Sequence, residues 1–215
     1  MITVTTFKWV PEFARGLVRD MRVRWALEEA GLPYAETLID FEEKDGAAYR
    51  ARQPFGQVPV YEEDGLILFE SGGILHHIAS HHDALMPADA GERAQVTSWL
   101  FAALNSLEPY VQALAEIDLF HSEEAWAQAR RPGAEAALRQ RLAALSAVLE
   151  TRDWLAAGRF TVADLLTAMV LDILRHTDIL ADYPVLKAYR DRCFARPAYA
   201  RALERHMAVF EREPA

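Results

Sequence analysis

Two short segments in the first third of the chain combine residues that could bind a peptide-like ligand. Residues 53–60 read QPFGQVPV, and residues 68–71 read LFES. A proline directly before a strand, as Pro59 is here, removes a hydrogen-bond donor from the strand ladder. If the Val58–Pro59 bond is cis, the chain turns sharply and exposes the backbone N–H and C=O of Val58. An extended peptide could pair with those groups as it would with a strand edge.

Ser71 lies where an apolar strand is predicted to end and a helix to begin. Its hydroxyl and the free N–H groups of the first helical turn form a site suited to a carboxylate. Glu70 beside it would pair with an ammonium group. The two segments together therefore describe a ligand with an amino-acid head on a short peptide.

The elements that hold these residues follow the order β-α-β and then β-β-α. β-Branched and aromatic runs predict strands, and Asp64-Gly65 between two apolar runs predicts a hairpin. Helical spacing predicts the two helices, and Gly31 is a natural cap for the end of the first. The predicted elements are a strand from Ile2 to Phe7, a helix from Arg19 to Ala30, a strand from Tyr34 to Phe41, strands at Val58 to Tyr61 and Leu66 to Phe69, and a helix from Ser71 to His82.

The second part of the chain reads as helical throughout. Asp83 to Glu92 is rich in Asp, Ala, Pro and Gly and is predicted to be a linker. Leucines at 138, 142, 145 and 149 form an apolar stripe at helical spacing. We therefore predict a mixed α/β domain over 1–82, a linker over 83–92 and an all-α domain over 93–215. The predicted helices are Arg93 to Asp118 with a kink at Pro109, Glu135 to Ala156, Thr161 to His176, Pro184 to Phe194, and Pro197 to about Glu211.

Composition excludes several classes of function. The 215 residues are 52% hydrophobic and 26% charged, as in an ordinary globular protein, with a formal net charge of −9. That charge argues against a nucleic-acid partner. The single cysteine, Cys193, excludes an internal disulfide and a cysteine-cluster metal site. No stretch is apolar enough for a membrane span, and the N-terminus lacks the pattern of a signal peptide, so a soluble, cytoplasmic protein is expected.

The sequence resembles the glutathione S-transferase family over nearly its whole length. Residues 53–59 are similar to the family's Asn-Pro-x-Gly-Lys/Gln-Val-Pro, with Gln53 in place of the usual Asn, and Glu70-Ser71 matches a Glu/Gln-Ser pair. Residues 160–164 (FTVAD) look like the capping box of the family's second domain, in which Thr161 caps a helix, Asp164 reciprocates and Phe160 packs on Leu165. Residues 22–34 and 196–199 also fit the family.

The resemblance implies a thioredoxin-like N-terminal domain, a helical C-terminal domain and, usually, a homodimer. It also implies that glutathione binds to the first domain as a co-substrate. Val58 would pair with the cysteinyl backbone of glutathione, with Pro59 holding that geometry. Glu70 and Ser71 would take the γ-glutamyl ammonium and carboxylate, and Gln57 would reach the glycyl carboxylate.

The segment that should activate the thiol departs from the family. Members use a Tyr, Ser or Cys after the first strand, and residues 8–20 contain none of the three. A nearby cation also lowers a thiol pKa, so Arg15 or Arg19 is predicted to favour the thiolate, with Trp9 and Phe13 walling the pocket. The alternative is that Arg15, Arg19, Arg22 and Arg24 form a solvated helix face paired with Glu12, Asp20 and Glu28.

Two further groups of residues have types that could serve a substrate or a metal. The first helix of the second domain lines the electrophile site in the family, and it carries Phe101, Asn105 and Glu108. With Phe13, these residues are the predicted electrophile contacts. The alternative is that they are simply core, as such residues often are. His77 and His81 have the spacing of a metal pair, but that helix offers no suitably spaced acidic or sulfur ligand, so no metal site is predicted.

The predicted function is conjugation of the glutathione thiolate to a small, apolar electrophile. The alternative is a glutathione-binding or protein-interaction module of the same fold without catalysis, which the missing Tyr, Ser or Cys favours. A thiol–disulfide oxidoreductase is excluded because the first domain contains no cysteine. The predicted partners are glutathione, a small electrophile and a second copy of the chain, with no nucleic acid and no membrane.

Overall fold

The computed structural model describes residues 1–211, and these fall into two units. Unit 1 comprises Met1–Met86 and the described residues from Ala195 onward, and unit 2 comprises Pro87–Phe194. The first boundary falls inside the predicted linker 83–92. The predicted all-α domain 93–215 does not hold together as one unit, because its last helix belongs to unit 1; residues 212–215 lie outside the described residues.

Unit 1 is built on a four-stranded mixed sheet in the order β2-β1-β3-β4. Parallel β1 and β2 pair from Ile2 with Tyr34 to Phe7 with Ile39, whereas β3 is antiparallel to both β1 and β4. Asp64 and Gly65 both have positive φ, as the predicted Asp-Gly hairpin turn requires. The strands are β1 (Ile2–Phe7), β2 (Tyr34–Ile39), β3 (Val60–Glu63) and β4 (Leu66–Phe69).

Four helices of unit 1 accompany this sheet. Helix α1 ends at Gly31, whose φ of 68° is the left-handed conformation that glycine adopts readily. Strand β3 begins after Pro59 rather than at the predicted Val58, because proline has no N–H for the ladder. The sheet and its helices confirm the predicted thioredoxin-like fold. The helices are α1 (Asp20–Ala30), α2 (Ala47–Arg50), α3 (Ser71–Ser80) and, near the end of the chain, α9 (Pro197–Phe210).

Helix α9 joins unit 1 because α1 carries its partners. The Arg196 guanidinium donates to both Glu29 carboxylate oxygens at 2.6 and 2.8 Å. The Trp25 ring meets Tyr199 edge-on, with the ring centroids 4.9 Å apart. These partners are far apart in sequence, so local periodicity assigned α9 to the preceding helical run.

Unit 2 is helical in all of its regular structure. Its helices are α4 (Ala90–Ala102), α5 (Glu108–Phe120), α6 (Ala125–Leu149), α7 (Val162–Asp172) and α8 (Pro184–Phe194). The four leucines of the predicted stripe are buried on α6, and every residue of α7 is buried. Cys193 is buried on α8. No helix within residues 1–211 is both long and apolar enough to cross a membrane.

Several helix boundaries in unit 2 differ from the predictions; for example, α4 begins at Ala90 rather than Arg93, and α6 ends at Leu149 rather than Ala156. A π-helical turn at Ala103–Leu107 divides the segment predicted as one helix kinked at Pro109. Pro109 instead lies in the first turn of α5, where its missing N–H has no intrahelical partner to lose. Helix α6 begins at Ala125, earlier than predicted, and continues through Pro132. Beside that proline, Arg131 pairs with Asp118 on α5 at 2.7 Å and with Glu135 on α6 itself at 2.8 Å.

The predicted capping box at the start of α7 is confirmed. Asp164 accepts hydrogen bonds from the backbone N–H groups of Thr161 and Leu155, each at 2.9 Å. Tyr189 on α8 donates its hydroxyl to the same carboxylate at 2.9 Å. Burial raises the pKa of Asp164 above its ordinary value, although these hydrogen bonds oppose the effect.

Candidate functional site

Val58 and Pro59 lie at the entrance to β3, and the peptide bond between them is cis. The Val58 side chain packs in an apolar cluster that includes Tyr49, Phe7 and Val18. Within residues 1–211, the backbone N–H and C=O of Val58 have no hydrogen-bond partner. A short extended ligand could therefore pair with them.

The segment before Val58 is held by its own side chains. The Gln53 side chain is 2% exposed, and its Oε1 accepts a hydrogen bond from the Phe55 N–H at 2.7 Å. Gln53 thus fixes the turn through its side-chain oxygen. Gly56 has φ +62°, and a Cβ at this position would lie 3.1 Å from the Asp45 carboxylate, so a larger residue would be strained and crowded.

Gln57 presents its side chain to solvent while its backbone is fastened to α2. The Tyr49 hydroxyl donates to the Gln57 carbonyl at 2.7 Å. Burial raises the pKa of Tyr49 to about 12, so this donor stays protonated at neutral pH. The exposed Gln57 amide is therefore available to a ligand group next to Val58.

Ser71 is the first residue of α3 and is 3% exposed. The Arg22 guanidinium on α1 donates to its Oγ at 3.3 Å, and Arg22 is itself 1% exposed. A buried guanidinium and the first N–H groups of a helix both favour a negative charge at this point. The pair is therefore suited to a carboxylate.

Glu70 precedes α3 in a backbone conformation that non-glycine residues rarely adopt. Its φ is 67° and its ψ is 113°, while its C=O accepts the Ile74 N–H at 2.9 Å. Such a conformation costs about 1–3 kcal/mol and often marks a functional position. The Glu70 side chain is exposed, so its carboxylate can meet an ammonium group.

The β3–β4 register brings the two predicted segments together. Val60 pairs with Phe69 at the end of the hairpin. Because paired antiparallel strands continue side by side, Val58-Pro59 and Glu70-Ser71 leave the sheet next to each other. The structure thus gathers these predicted binding residues at one end of one hairpin.

Neither β1 nor the loop after it offers an exposed hydroxyl to a ligand. Residues 8–19 contain no Ser, Thr or Tyr. Within β1, Thr5 and Thr6 are 2% and 1% exposed, and the Thr3 hydroxyl donates to Glu62 at 3.3 Å. Lys8 is paired with Glu43 at 3.0 Å. Trp9 is 57% exposed and therefore free to wall a pocket.

The two candidate arginines differ in their surroundings. Arg15 is half-buried, and its Cζ lies 5.5 Å from the centre of the Phe210 ring on α9. Arg19 is exposed immediately before α1. Phe13, the second aromatic candidate of this loop, is 42% exposed. Arg15 is therefore the more buried of the two cations.

The alternative of a solvated arginine face on α1 is wrong for two of its members. Arg22 and Arg24 are buried, and Arg24 donates its Nε–H to buried Asp20 at 2.7 Å. Glu28 pairs with Arg201 on α9 at 2.9 Å. Burial of all residues from Asp20 to Leu27 leaves this part of α1 no solvated face.

The predicted electrophile residues of unit 2 do not share one environment. Phe101 is 56% exposed and Asn105 is exposed, whereas Glu108 is 5% exposed. A cavity of about 180 Å³ lies in the same unit, but none of the three residues lines it. Its apolar lining comes from neighbouring positions of the same helical segment and from α6, and includes Trp99, Ala103, Leu107, Leu145 and Val148.

The histidines of α3 do not gather a metal site. His77 lies 3.7 Å from Glu63, and its ring centroid is 4.9 Å from that of His81. No group of three His, Cys, Asp or Glu side chains that could hold a metal ion is found in residues 1–211.

Comparison with known proteins decides the family. The profile of the glutathione S-transferase N-terminal domain matches residues 13–80, and that of the C-terminal domain matches residues 117–197. The probable glutathione S-transferase GSTF2 of Oryza sativa subsp. japonica is 30% identical over 186 residues, which cover 80% of this chain and 85% of the relative. The chain belongs to the glutathione S-transferase family.

Solved structures share the fold of this glutathione S-transferase family member. Ure2p in complex with glutathione superposes with a TM-score of 0.82 at 21% identity, covering 94% of each chain. A glutathione transferase from Burkholderia graminis, with two glutathione molecules bound per subunit, superposes with a TM-score of 0.81 at 25% identity. That match covers 94% of this chain and 87% of the other.

One residue of this family member's candidate site was missed from the sequence. Arg22 was placed on a solvated face, yet it donates to Ser71. No local signal marks it, because adjacent residues of a helix point in different directions and its partner lies on another helix. A buried arginine needs a buried acceptor, and Ser71 supplies one.

Proposed function

We propose that this chain is a glutathione transferase that joins the thiolate of glutathione to a small, apolar electrophile. The observation that carries the proposal is the convergence of the open Val58 backbone with the Ser71–Arg22 pair at one end of the hairpin. Membership of the family supports the same reading.

Each end of glutathione has a matching group on unit 1. The γ-glutamyl carboxylate binds at Ser71 and the start of α3, where Arg22 adds positive charge, and the ammonium group binds Glu70. The backbone of Val58 pairs with the cysteinyl residue, and Gln57 reaches the glycyl carboxylate. These local donors offset the net charge of −9, which would otherwise repel an anionic ligand.

Arg15 is the cation that favours the thiolate. A free thiol has a pKa near ~8.5, and lowering it by about one unit needs only ~1.4 kcal/mol of differential stabilisation. The thiol proton leaves to water, and the guanidinium stabilises the sulfur anion. The sulfur then forms a bond to an electrophilic carbon, whose leaving group departs with the bonding electrons. Trp9 and Phe13 give this end of the sheet an apolar wall.

The test follows glutathione binding and thiolate formation in the same protein. Calorimetric titration gives the affinity, and ultraviolet absorbance of the bound thiolate between pH 5 and 9 gives the thiol pKa. Arg15→Ala is expected to raise that pKa by about one unit, a tenfold loss of thiolate below the pKa. Arg19→Ala is the matched control and is expected to leave it unchanged. An unchanged pKa in Arg15→Ala would remove Arg15 from the mechanism.

The second candidate is a glutathione-binding or interaction module without catalysis. Absence of a Tyr, Ser or Cys from residues 8–20 favours it. Binding of glutathione with an unshifted thiol pKa and no conjugation would support the module. Absence of glutathione binding would remove the transferase and the glutathione-binding form of the module.

Phe101, Asn105 and Glu108 remain proposed electrophile contacts, as the resemblance implies. The exposed positions of Phe101 and Asn105 support direct contact with the electrophile. Glu108 is buried and therefore offers little surface for such a contact. Phe101→Ala should raise the KM for the electrophile without changing the affinity for glutathione. A change in both constants would contradict this assignment.

A homodimer is the assembly proposed for this chain. Support comes from an apolar patch on edge strand β4 and the loop next to it, in which the Phe55 and Phe69 rings lie 6.2 Å apart. Leu66 and Ile67 extend the patch and are 41% and 45% exposed. Large exposed apolar patches mark interaction surfaces. Sedimentation velocity tests the assembly, and cell fractionation tests the cytoplasmic location that the sequence predicts.

A further inference from the structure

Helix α9 places two aromatic side chains, His206 and Phe210, one turn apart. His206 is fully buried, and its Nδ1 lies 3.3 Å from the Asp20 carboxylate at the start of α1. Its ring meets the Phe210 ring edge-on, with the centroids 5.0 Å apart and the planes at 83°. The end of α9 is therefore fixed against the beginning of α1.

The second contact of Phe210 is with Arg15. The Arg15 Cζ lies 5.5 Å from the centre of the Phe210 ring, within the range of a cation–π interaction. Arg15 follows the short 3₁₀ turn Glu12–Ala14 and precedes α1, so no regular helix or strand fixes its backbone. The contact with the Phe210 ring on α9 favours one orientation of the long Arg15 side chain.

The Arg15 loop is also tied to the end of the sheet where glutathione is proposed to bind. Val18, three residues after Arg15, packs on the apolar cluster that contains Val58 and Phe7. The guanidinium contacted by Phe210 thus belongs to the loop that packs beside the Val58 strand entrance. The contact links the far end of the chain to that loop.

We propose that Phe210 is a positioning residue for thiol activation, holding the Arg15 guanidinium in place while His206 fixes the Phe210 ring. This inference rests on the proposed function. Phe210 does not touch glutathione; it acts through Arg15 by restricting where the positive charge lies. A guanidinium held in one place stabilises a thiolate better than one that must be ordered on binding.

The test compares Phe210→Leu, which keeps the apolar bulk, with Phe210→Trp, which keeps an aromatic face. Each variant is made alone and together with Arg15→Ala in the full chain. The readouts are the calorimetric affinity for glutathione and the pH dependence of the bound thiolate absorbance. Phe120→Leu, at a ring on unit 2 that is 64% exposed, is the matched control.

Phe210→Leu is expected to raise the thiol pKa by about 0.5 unit, a roughly threefold loss of thiolate below the pKa, as loss of one exposed cation–π contact would cause. Phe210→Trp should retain the thiol pKa of the parent protein. In the Arg15→Ala background, Phe210→Leu should cause no further shift, because the two residues act as one unit. At pH 6, well below the thiol pKa, the affinity for glutathione should change less than twofold in every variant.

Three results would overturn the proposal. A thiol pKa that is unchanged in Phe210→Leu but raised in Arg15→Ala would remove Phe210 alone and leave the proposed function standing. An equal shift on both backgrounds would show that Phe210 does not act through Arg15. An unchanged pKa in Arg15→Ala would remove Arg15, and Phe210 with it, which is the separate failure of the proposed mechanism.

Discussion

Ser71 and Arg22 illustrate how a buried charge is used at the scale of single residues. A guanidinium that is 1% exposed is costly to bury unless its donors find acceptors. The Ser71 hydroxyl accepts one of its hydrogen bonds and retains a proton to donate. The same hydroxyl can therefore bind Arg22 and a ligand carboxylate at once.

Replacing Ser71 tests this arrangement directly. Ser71→Ala is expected to weaken glutathione binding about tenfold or more, because a hydrogen bond to a charged group contributes roughly 1.5–3 kcal/mol. Ser80→Ala, at the other end of α3, is the matched control and should bind normally. Isothermal titration calorimetry measures both. Equal affinities in the two variants would place the carboxylate elsewhere.

Individual residues of the site were predicted from the sequence to different degrees. Ser71 and Val58 carry local signals, since a helix start and a proline before a strand are visible within a few residues. Arg22 carries none, because its partner lies on another helix, and charge alone suggests solvent. Tertiary packing decides whether an arginine on a helix is buried, so the residue type alone does not predict its burial.

The same distinction holds for whole elements. The Asp64-Gly65 hairpin and the Thr161–Asp164 capping box were predicted because their signals lie inside the element. The start of α6 was missed because the apolar stripe that predicts the helix begins only at Leu138, whereas the residues before it are held by ion pairs from Arg131 to Asp118 on α5 and to Glu135 on α6. Helix α9 was assigned to the wrong unit because its partners lie on α1.

The start of α7 offers a test at this scale. Asp164→Asn is expected to lower the free energy of unfolding by about 2 kcal/mol, because an amide cannot accept every hydrogen bond that the carboxylate accepts at this buried position. Urea unfolding followed by circular dichroism measures the change. Asp153→Asn is the control, since that side chain is 80% exposed. Equal stability of the two variants would contradict the structural role of the capping box.

Across the whole molecule, the two ends of the described chain meet in unit 1. Buried Asp20 on α1 faces Arg24 on the same helix at 2.7 Å and His206 on α9 at 3.3 Å. Although burial raises the pKa of Asp20, the neighbouring His206 and Arg24 outweigh it and hold that pKa below its ordinary value. The carboxylate therefore stabilises the folded chain in its ionised form.

The pH dependence of stability follows from this shift. An acid whose pKa is lowered on folding adds stability above its unfolded value of about 3.9 and loses it as the pH falls through the folded value. Asp20→Asn should be about 3 kcal/mol less stable than the parent at pH 7, since it removes the buried carboxylate that Arg24 and His206 share and leaves Glu36 as the carboxylate partner of Arg24. That difference should shrink below about pH 4.

Urea titrations of both proteins between pH 2.5 and 7 measure the difference. Asp64→Asn provides the comparison, because the Asp64 carboxylate pairs with the N-terminus on the surface and such pairs contribute little. A gap between Asp20→Asn and the parent that stayed constant from pH 7 to pH 2.5 would contradict the assignment of Asp20 as the responsible group.

The membership of α9 in unit 1 has a consequence for how the chain is made. A ribosome releases Met1–Met86 first and must synthesise all of Pro87–Phe194 before α9 emerges. Until then α1 lacks the helix that pairs with Glu28 and Glu29, and Asp20 lacks His206. Unit 2 is contiguous and can fold during synthesis, whereas unit 1 reaches its final form only when the end of the chain arrives.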